Sequence, residues 1–354
     1  MGLVFRKETH IKTFHNPLKN FEPEGQEVEL RFDPLLDHFA VFNPALEDKA
    51  RLFFGPQDWE LVEKVAEATR ENCFMCPPKV WEITPKYPED FIPDGRLRRG
   101  ECTLFPNLFP ITPRHAVIAV GEAHFRRLEE FSPQLVADGL ALGLEFLRLV
   151  AEEDPVMRFG TVCANFLPPA GASLVHPHFQ VVAAKEAFPQ LKRFLEASLN
   201  FYTEKGKNFW EELAAEEKEG PRFLGQKGRV TFVAAFAPLG GNEVIGVIEG
   251  ARGLAEITQE DVLDLGRGIS AVLKGYARLG YGTFNFTLFL PPLDERTGWF
   301  CPHIRLITRQ NFYENYRTDD YFLQRQLGSE LIITPPERVA EIIRPFFAQE
   351  EGNE

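Results

Sequence analysis

The stretch Ser173–Val182 reads SLVHPHFQVV and places two of the chain's eight histidines one residue apart. In an extended backbone His176 and His178 point the same way, about 7 Å apart, and the apolar run VVAA that follows marks the start of a buried strand. Apolar side chains would fill such positions at less cost, so two imidazoles there ask for a chemical reason. Pro177 between them fixes φ and removes a donor, which stiffens the pair. Two structural core histidines are the plain alternative, but the loop PPAGAS (168–173) directly before them favours a site.

A second signal lies upstream. Cys73-Phe74-Met75-Cys76 sets two thiolates at the spacing that wraps one tetrahedral metal. A redox dithiol fits less well, because Pro77-Pro78 does not open a helix whose N-terminus would depress a thiol pKa. Two thiolates need two further ligands for zinc, and imidazole nitrogens usually supply them. His176, His178, His115 and His124 are the candidates.

On either side of the PPAGAS loop, segment 159–167 (FGTVCANFL) and segment 178–184 (HFQVVAA) read as strands. AVIAV (116–120) reads as a buried strand, and a helix is expected from about Ser132, with Ser132-Pro133 as cap and first-turn pair, to Glu153. An amphipathic helix over 56–72 leads into Cys73. Residues 1–55 read as strands and turns broken by Asn-Pro and Asp-Pro pairs, and 77–115 as proline-rich loop. A polar, helix-prone stretch runs over 185–218.

The second half repeats the order: strands over 230–236 and 243–249, a helix over 258–279, then strands over 284–290 and 303–308. LPP recurs at 167–169 and 290–292, His-Pro-His at 176–178 faces Cys-Pro-His at 301–303, and RRLEEFS (126–132) faces RGLAEIT (252–258). The fold class expected is α+β: two tandem units, each an antiparallel-rich sheet with one long helix, divided as 1–218 and 219–354. No glycine fingerprint follows any strand, which excludes a doubly wound dinucleotide fold.

The chain's 354 residues, 44% hydrophobic, are enough for a sizeable core. A net charge of −13 with no basic stripe argues against a nucleic-acid or membrane-surface protein. No apolar run reaches the length of about 18 residues that a membrane span needs. No signal-peptide core occurs either, and five cysteines do not form a disulfide framework, so a cytoplasmic protein is expected.

The segment from Asn165 through Gly171, Ser173, His176, Pro177 and His178 to Gln180 resembles the active-site motif of the galactose-1-phosphate uridylyltransferase-like proteins of the histidine-triad superfamily. There an asparagine precedes the first histidine by eleven residues and a serine by three, and a glutamine follows the second by two; all three offsets hold here. Asn72–Pro77, Arg31–Leu35 and Phe105–Pro110 resemble further segments of that family, in the same order. The resemblance implies a site with His178 as nucleophile and Gln180 beside it. Asn107, Asn165, Gly171, Ser173 and Gln180 would contact substrate. Zinc would be held by Cys73, Cys76, His176 and His124, with His115 as the alternative fourth ligand. It implies a nucleotidyltransferase acting on nucleotide-sugar and sugar-phosphate substrates, or a phosphorylase of the same superfamily, and a homodimer. Segment 43–51, NPALEDKAR, lacks the family's phosphate-gripping arginine pair. At 301–305 one histidine stands where relatives carry a His-x-His pair, so the second metal site is expected to be missing. Arg305, on the strand face of His303, is a candidate phosphate contact or a solvated arginine. Cys102 and Cys163 read as small buried residues.

Overall fold

The computed structural model describes residues 2–349. The chain opens with a long hairpin, β1 (Lys7–Asn16) and β2 (Glu22–Phe32), followed by β3 (Phe39–Phe42). Three helices follow: α1 (Ala50–Phe54), α2 (Trp59–Arg70) and the short α3 (Lys79–Glu82). The first unit is then β4 (Leu97–Arg99), β5 (Cys102–Pro106), β6 (Arg114–Ala119), α4 (Pro133–Glu153), β7 (Phe159–Phe166) and β8 (His178–Ala184). Two helices, α5 (Pro189–Lys205) and α6 (Phe209–Lys218), lead into the second unit. That unit comprises β9 (Phe223–Lys227), β10 (Val230–Ala234), β11 (Val244–Ile248), α7 (Gln259–Arg278), β12 (Phe284–Phe289) and β13 (His303–Thr308). The described residues end with α8 (Phe322–Arg325), β14 (Glu330–Ile332) and α9 (Pro336–Gln349).

The two units' sheets join edge to edge into one ten-stranded sheet of order β4-β5-β6-β8-β7-β12-β13-β11-β10-β9, antiparallel throughout. Read outward from the β7–β12 seam, both halves have the same order, with the long helix between the third strand and the seam strand. Backbone bonds repeat as well: Val120 N–H donates to Pro177 O, and Ile248 N–H to Pro302 O. His176-Pro177-His178 and Cys301-Pro302-His303 therefore hold equivalent places. A separate four-stranded sheet, β1-β2-β3-β14, links the chain's two ends.

The helices start where the caps predict. Ser132 Oγ accepts from Leu135 N–H, and Thr258 forms a capping box with Asp261. Both helices pack on one face of the sheet, against buried Ile118, Val162, Phe179, Phe286, Ile304 and Leu306. The approach is close: a Cβ on Gly139 of α4 would lie 2.7 Å from the Phe179 ring, and one on Gly266 of α7 would lie 2.3 Å from Pro133 O. Interior packing at this density leaves no room for a methyl group at either place. Alternation does the rest. In β7, Val162 and Ala164 face the helices, while Thr161, Cys163 and Asn165 are half-buried on the other face.

The structure corrects two expectations. Segment 77–115 is largely loop and turn, but not throughout: it also carries β4 and β5, whose Cys102–Phe105 are buried, paired through a turn at Gly100. Cys163 is not a buried core residue, because the pleat turns it to the open face. Strands β9 and β14 and helix α9 add elements the pattern did not reveal. Among the described residues no helix is long and apolar enough to cross a membrane.

Candidate active site and metal centre

Cys73 and Cys76, beyond the end of α2, meet His124 from the loop after β6 and His176 from the loop before β8. One ligand atom of each lies within 4.8 Å of all the others. His176 Nδ1 stands 3.7 Å from Cys73 Sγ and 3.4 Å from Cys76 Sγ, and His124 Nδ1 stands 3.3 Å from Cys76 Sγ. These are the edge lengths of a tetrahedron around zinc with bonds of about 2.0–2.3 Å.

The outer nitrogens orient the rings. His176 Nε2–H donates to Gly121 O at 3.0 Å, and His124 Nε2 lies 3.1 Å from Thr69 Oγ1, whose own proton goes to Val65 O. Both Nδ1 lone pairs therefore point to the centre, as a metal ligand needs. Burial, and next the neighbouring Cys73, push the Cys76 thiol up to about 12, and a cation between the sulfurs would favour the thiolate. Donor set, spacing and second layer all fit zinc. His115 is not part of this cluster.

His178 begins β8 and points to the open face, 7% exposed. Its Nδ1–H donates to His176 O at 2.8 Å. That leaves the lone pair on Nε2, where no hydrogen bond forms among the described residues. Burial lowers its pKa from the ordinary histidine value, keeping the ring neutral. The metal ligand and the free imidazole are thus coupled through one backbone carbonyl.

Gln180, two residues on, shares the face. Ile111 N–H donates to His115 Nδ1 at 3.2 Å, so His115 carries its proton on Nε2 and donates it to Gln180 Oε1 at 2.9 Å. Gln180's amide N–H groups find no acceptor among the described residues. Asn107 closes this corner: its Oδ1 accepts from Phe109 N–H, and its Nδ2 lies 3.2 Å from His115 Nε2. Across the next strand, Asn165 Oδ1 accepts from Asn285 Nδ2 at 2.7 Å, and Asn285 Oδ1 accepts from Arg309 at 2.6 Å. Gly171 is exposed with φ +93°, a conformation that favours glycine, and lies over Asn165. Ser173 is exposed on the same loop. Leu167, buried at φ 67°, starts that loop. L-residues rarely adopt that region, and strain of this kind collects at functional sites.

Thus Cys73, Cys76, His124 and His176 converge on one point, and His178, Gln180, Asn165 and Asn107 line one open surface beside it. The sequence offered no sign of Thr69, Asn285 or the His115–Gln180 bond; each depends on pairing between distant strands. Two cavities, of about 600 Å³ and 400 Å³, lie over the second half and not over His178.

The equivalent place in the second half is built differently. His303 Nδ1 donates to Cys301 O at 3.1 Å, as His178 does to His176. Yet His303 is fully buried, stacked under Trp210 at 3.6 Å and against Phe289 at 5.3 Å, and edged by Phe194. Cys301, in the place of His176, accepts from Arg252 Nη1 at 3.0 Å. A guanidinium occupies the spot where the first half gathers metal ligands. Arg305 is 6% exposed and paired with Glu243, not solvated.

The fold is shared with solved structures of an ADP-glucose phosphorylase, a GalT-like protein and a uridylyltransferase. The structure is similar to that of an ADP-glucose phosphorylase from Arabidopsis thaliana with bound ADP-glucose, at TM-score 0.69 and 20% identity, over 90% of this chain and 98% of that one. It is also similar to a uridylyltransferase at TM-score 0.64 and 20% identity, over 77% of this chain and 91% of that one. In sequence, an uncharacterised protein of Archaeoglobus fulgidus is 28% identical over 349 residues, 98% of this chain and all of that one. The ADP-glucose phosphorylase of Arabidopsis thaliana is 22% identical over 355 residues, 91% of this chain and 93% of that one. No family model matches the chain.

Proposed function

We propose that this protein is an enzyme that transfers a nucleoside monophosphate from a nucleoside diphosphate sugar to a phosphate-bearing acceptor through a covalent histidine intermediate. The reading rests on His178: a neutral imidazole with Nδ1 anchored and the Nε2 lone pair free, on an open sheet face beside a Cys₂His₂ centre. Nε2 attacks the α-phosphorus, a P–N bond forms, and the bond to the bridging oxygen breaks, so sugar 1-phosphate leaves with the electron pair. An acceptor oxygen then attacks the same phosphorus, the P–N bond breaks, and the pair returns to Nε2. Gln180, held by His115, donates an amide N–H to a non-bridging oxygen as charge builds there. Asn165, Asn107, Gly171 and Ser173 lie around the donor.

Zinc, held by Cys73, Cys76, His124 and His176, serves as a clamp on the loop that presents His178. The protein's residues do the rest: His176 O holds the nucleophile's tautomer, and His115 aims the amide.

For the acceptor, the reading is inorganic phosphate with an ADP-sugar donor. It is supported by the Arabidopsis ADP-glucose phosphorylase, which matches over nine-tenths of both chains in fold. A sugar 1-phosphate acceptor with a UDP-sugar donor is the second reading, supported by the Asn-Ser-His-Pro-His-Gln offsets and the uridylyltransferase fold match. The test is intact-protein mass after incubation with ADP-glucose or UDP-glucose, wild type against His178→Asn, then chase with phosphate or galactose 1-phosphate. A nucleotidyl-sized gain with one donor, absent in the variant and discharged by one acceptor, is expected. A gain that persists in His178→Asn overturns the assignment.

A further inference from the structure

In register, Gln180 of β8, Cys163 of β7, Thr287 of β12 and Arg305 of β13 form one row across the open face, with Gln180 and Arg305 at mirrored places about the seam. Their partners mirror too: His115 holds Gln180, and Glu243 holds Arg305 through Nε at 2.6 Å. Glu243's other oxygen accepts from Leu239 N–H. Phe194 packs on the guanidinium, 4.9 Å from its centroid, which fixes the plane. Arg305 is thus a rigid, nine-tenths buried cation whose two Nη groups find no acceptor among the described residues. A space of about 20 Å³ lies on one side, lined by Glu217, whose Oε2 is also unpartnered. It has room for one water and accounts for one Nη.

The other side is the wall of the 400 Å³ cavity. Gln190 lines that cavity as well, and its Nε2 is buried without an acceptor. Thr287 contributes a hydroxyl from the floor, and Arg193 a second guanidinium from the first turns of α5. An Nη of Arg305 and Nε2 of Gln190 lack acceptors among the described residues beside one space, and Arg193, whose Nη1 donates to Gln190 Oε1 at 3.3 Å, adds a second cation at its rim. Leaving them unmatched would be costly, and an oxyanion matches all of them.

We infer that this cavity is a second ligand site, for a phosphoryl group, which binds without reacting because the histidine equivalent to the nucleophile, His303, is sealed under Trp210. The site does not rest on the role proposed for His178. Two sources share the chemistry, free phosphate and the phosphate of a sugar phosphate.

Zinc-loaded full-length protein carrying His178→Asn, so that no turnover consumes ligand, is titrated calorimetrically with inorganic phosphate and, separately, with glucose 1-phosphate. Saturable binding of at least one is expected, weakened about tenfold or more when Gln190→Leu and Arg193→Ala are added. Arg305→Leu alone would strand Glu243, so the second variant is Arg305→Leu with Glu243→Leu, expected to abolish binding at native circular dichroism. The tighter ligand names the source. Absence of saturable binding, binding unchanged in the Gln190/Arg193 variant, or binding lost with Gln180→Ala instead would overturn the site. Failure of the His178 reading looks different: no nucleotidyl adduct in wild type, with this binding intact.

Discussion

Glu330 offers a test whose size follows from the structure. It is 8% exposed at the start of β14, on the wall of the 600 Å³ cavity. Burial pushes its carboxyl from 4.5 up to about 7; hydrogen bonds to Oε1 from Gln324 and from Leu331 N–H oppose the rise, and nearby Asp319 and Glu243 add to it. A carboxyl whose folded pKa is raised contributes stability that is full below about 4.5 and is lost as pH climbs through about 7. The whole interval is worth ~3 kcal/mol as an upper figure. Glu330→Gln copies the neutral acid: its Oε1 keeps both acceptor bonds and an amide N–H replaces the acid proton. Near pH 5 the variant should match wild type. By pH 8 it should be the more stable by up to ~3 kcal/mol, which at ~2.1 cal/mol/K per residue over 354 residues is about 4 °C in the melting midpoint. The assay is the difference in Tm between the two proteins, zinc-loaded, at pH 5, 6.5 and 8. A difference that stays constant across that range would refute the reasoning, because then Glu330 is ionised in the fold at every pH measured.

The other predictions concern the site. His178→Asn should cut turnover at least ~10³-fold with zinc content unchanged, read by product formation and metal analysis. His115→Ala frees Gln180 to rotate and should lower kcat by about 10–100-fold with little change in KM, whereas zinc stoichiometry should stay at wild type; a lost zinc would instead make His115 a ligand. Removal of zinc by a chelator, or Cys76→Ala, should lower the melting midpoint and raise hydrogen exchange in 171–178, with exchange elsewhere in β8 less affected. His303→Phe should leave turnover intact, since the ring is sealed in an aromatic cage; loss of activity would show that the second half takes part in chemistry.

Strand β8 begins at His178 and β13 at His303, as the patterns place them, and Ser132 and Thr258 cap the two long helices. Those features are legible because periodicity and capping act over a few residues. A metal site built on Cys73 and Cys76 is legible for another reason: few residue types bind zinc, and the chain has few of them. The family resemblance singles out His176 and His124 among the candidate histidines, and the structure brings both to the thiols. The hairpin over 97–106 is hidden because its strands are short and flanked by prolines. Cys163 reads wrongly from sequence because one pleat step decides between core and open face, and only pairing with Gln180 and Thr287 sets that step.

Residue order alone settles which groups the chain has for chemistry and the local frame that carries them: a rigid His-Pro-His at a strand start, a Cys-x-x-Cys, and a duplicated order of strands and helix. What each group does is decided by the packing of distant segments. His115, at the start of β6, and His124, past its end, are alike as residues, yet one meets Gln180 and the other a thiol. His178 and His303 share a backbone bond and a place in the fold, yet one keeps a little exposure, 7%, with Nε2 free, and the other is fully buried under an indole. The reason is physical: a side chain's chemistry depends on its solvation and on the partners of its other nitrogen, and contacts between residues far apart in the chain set both.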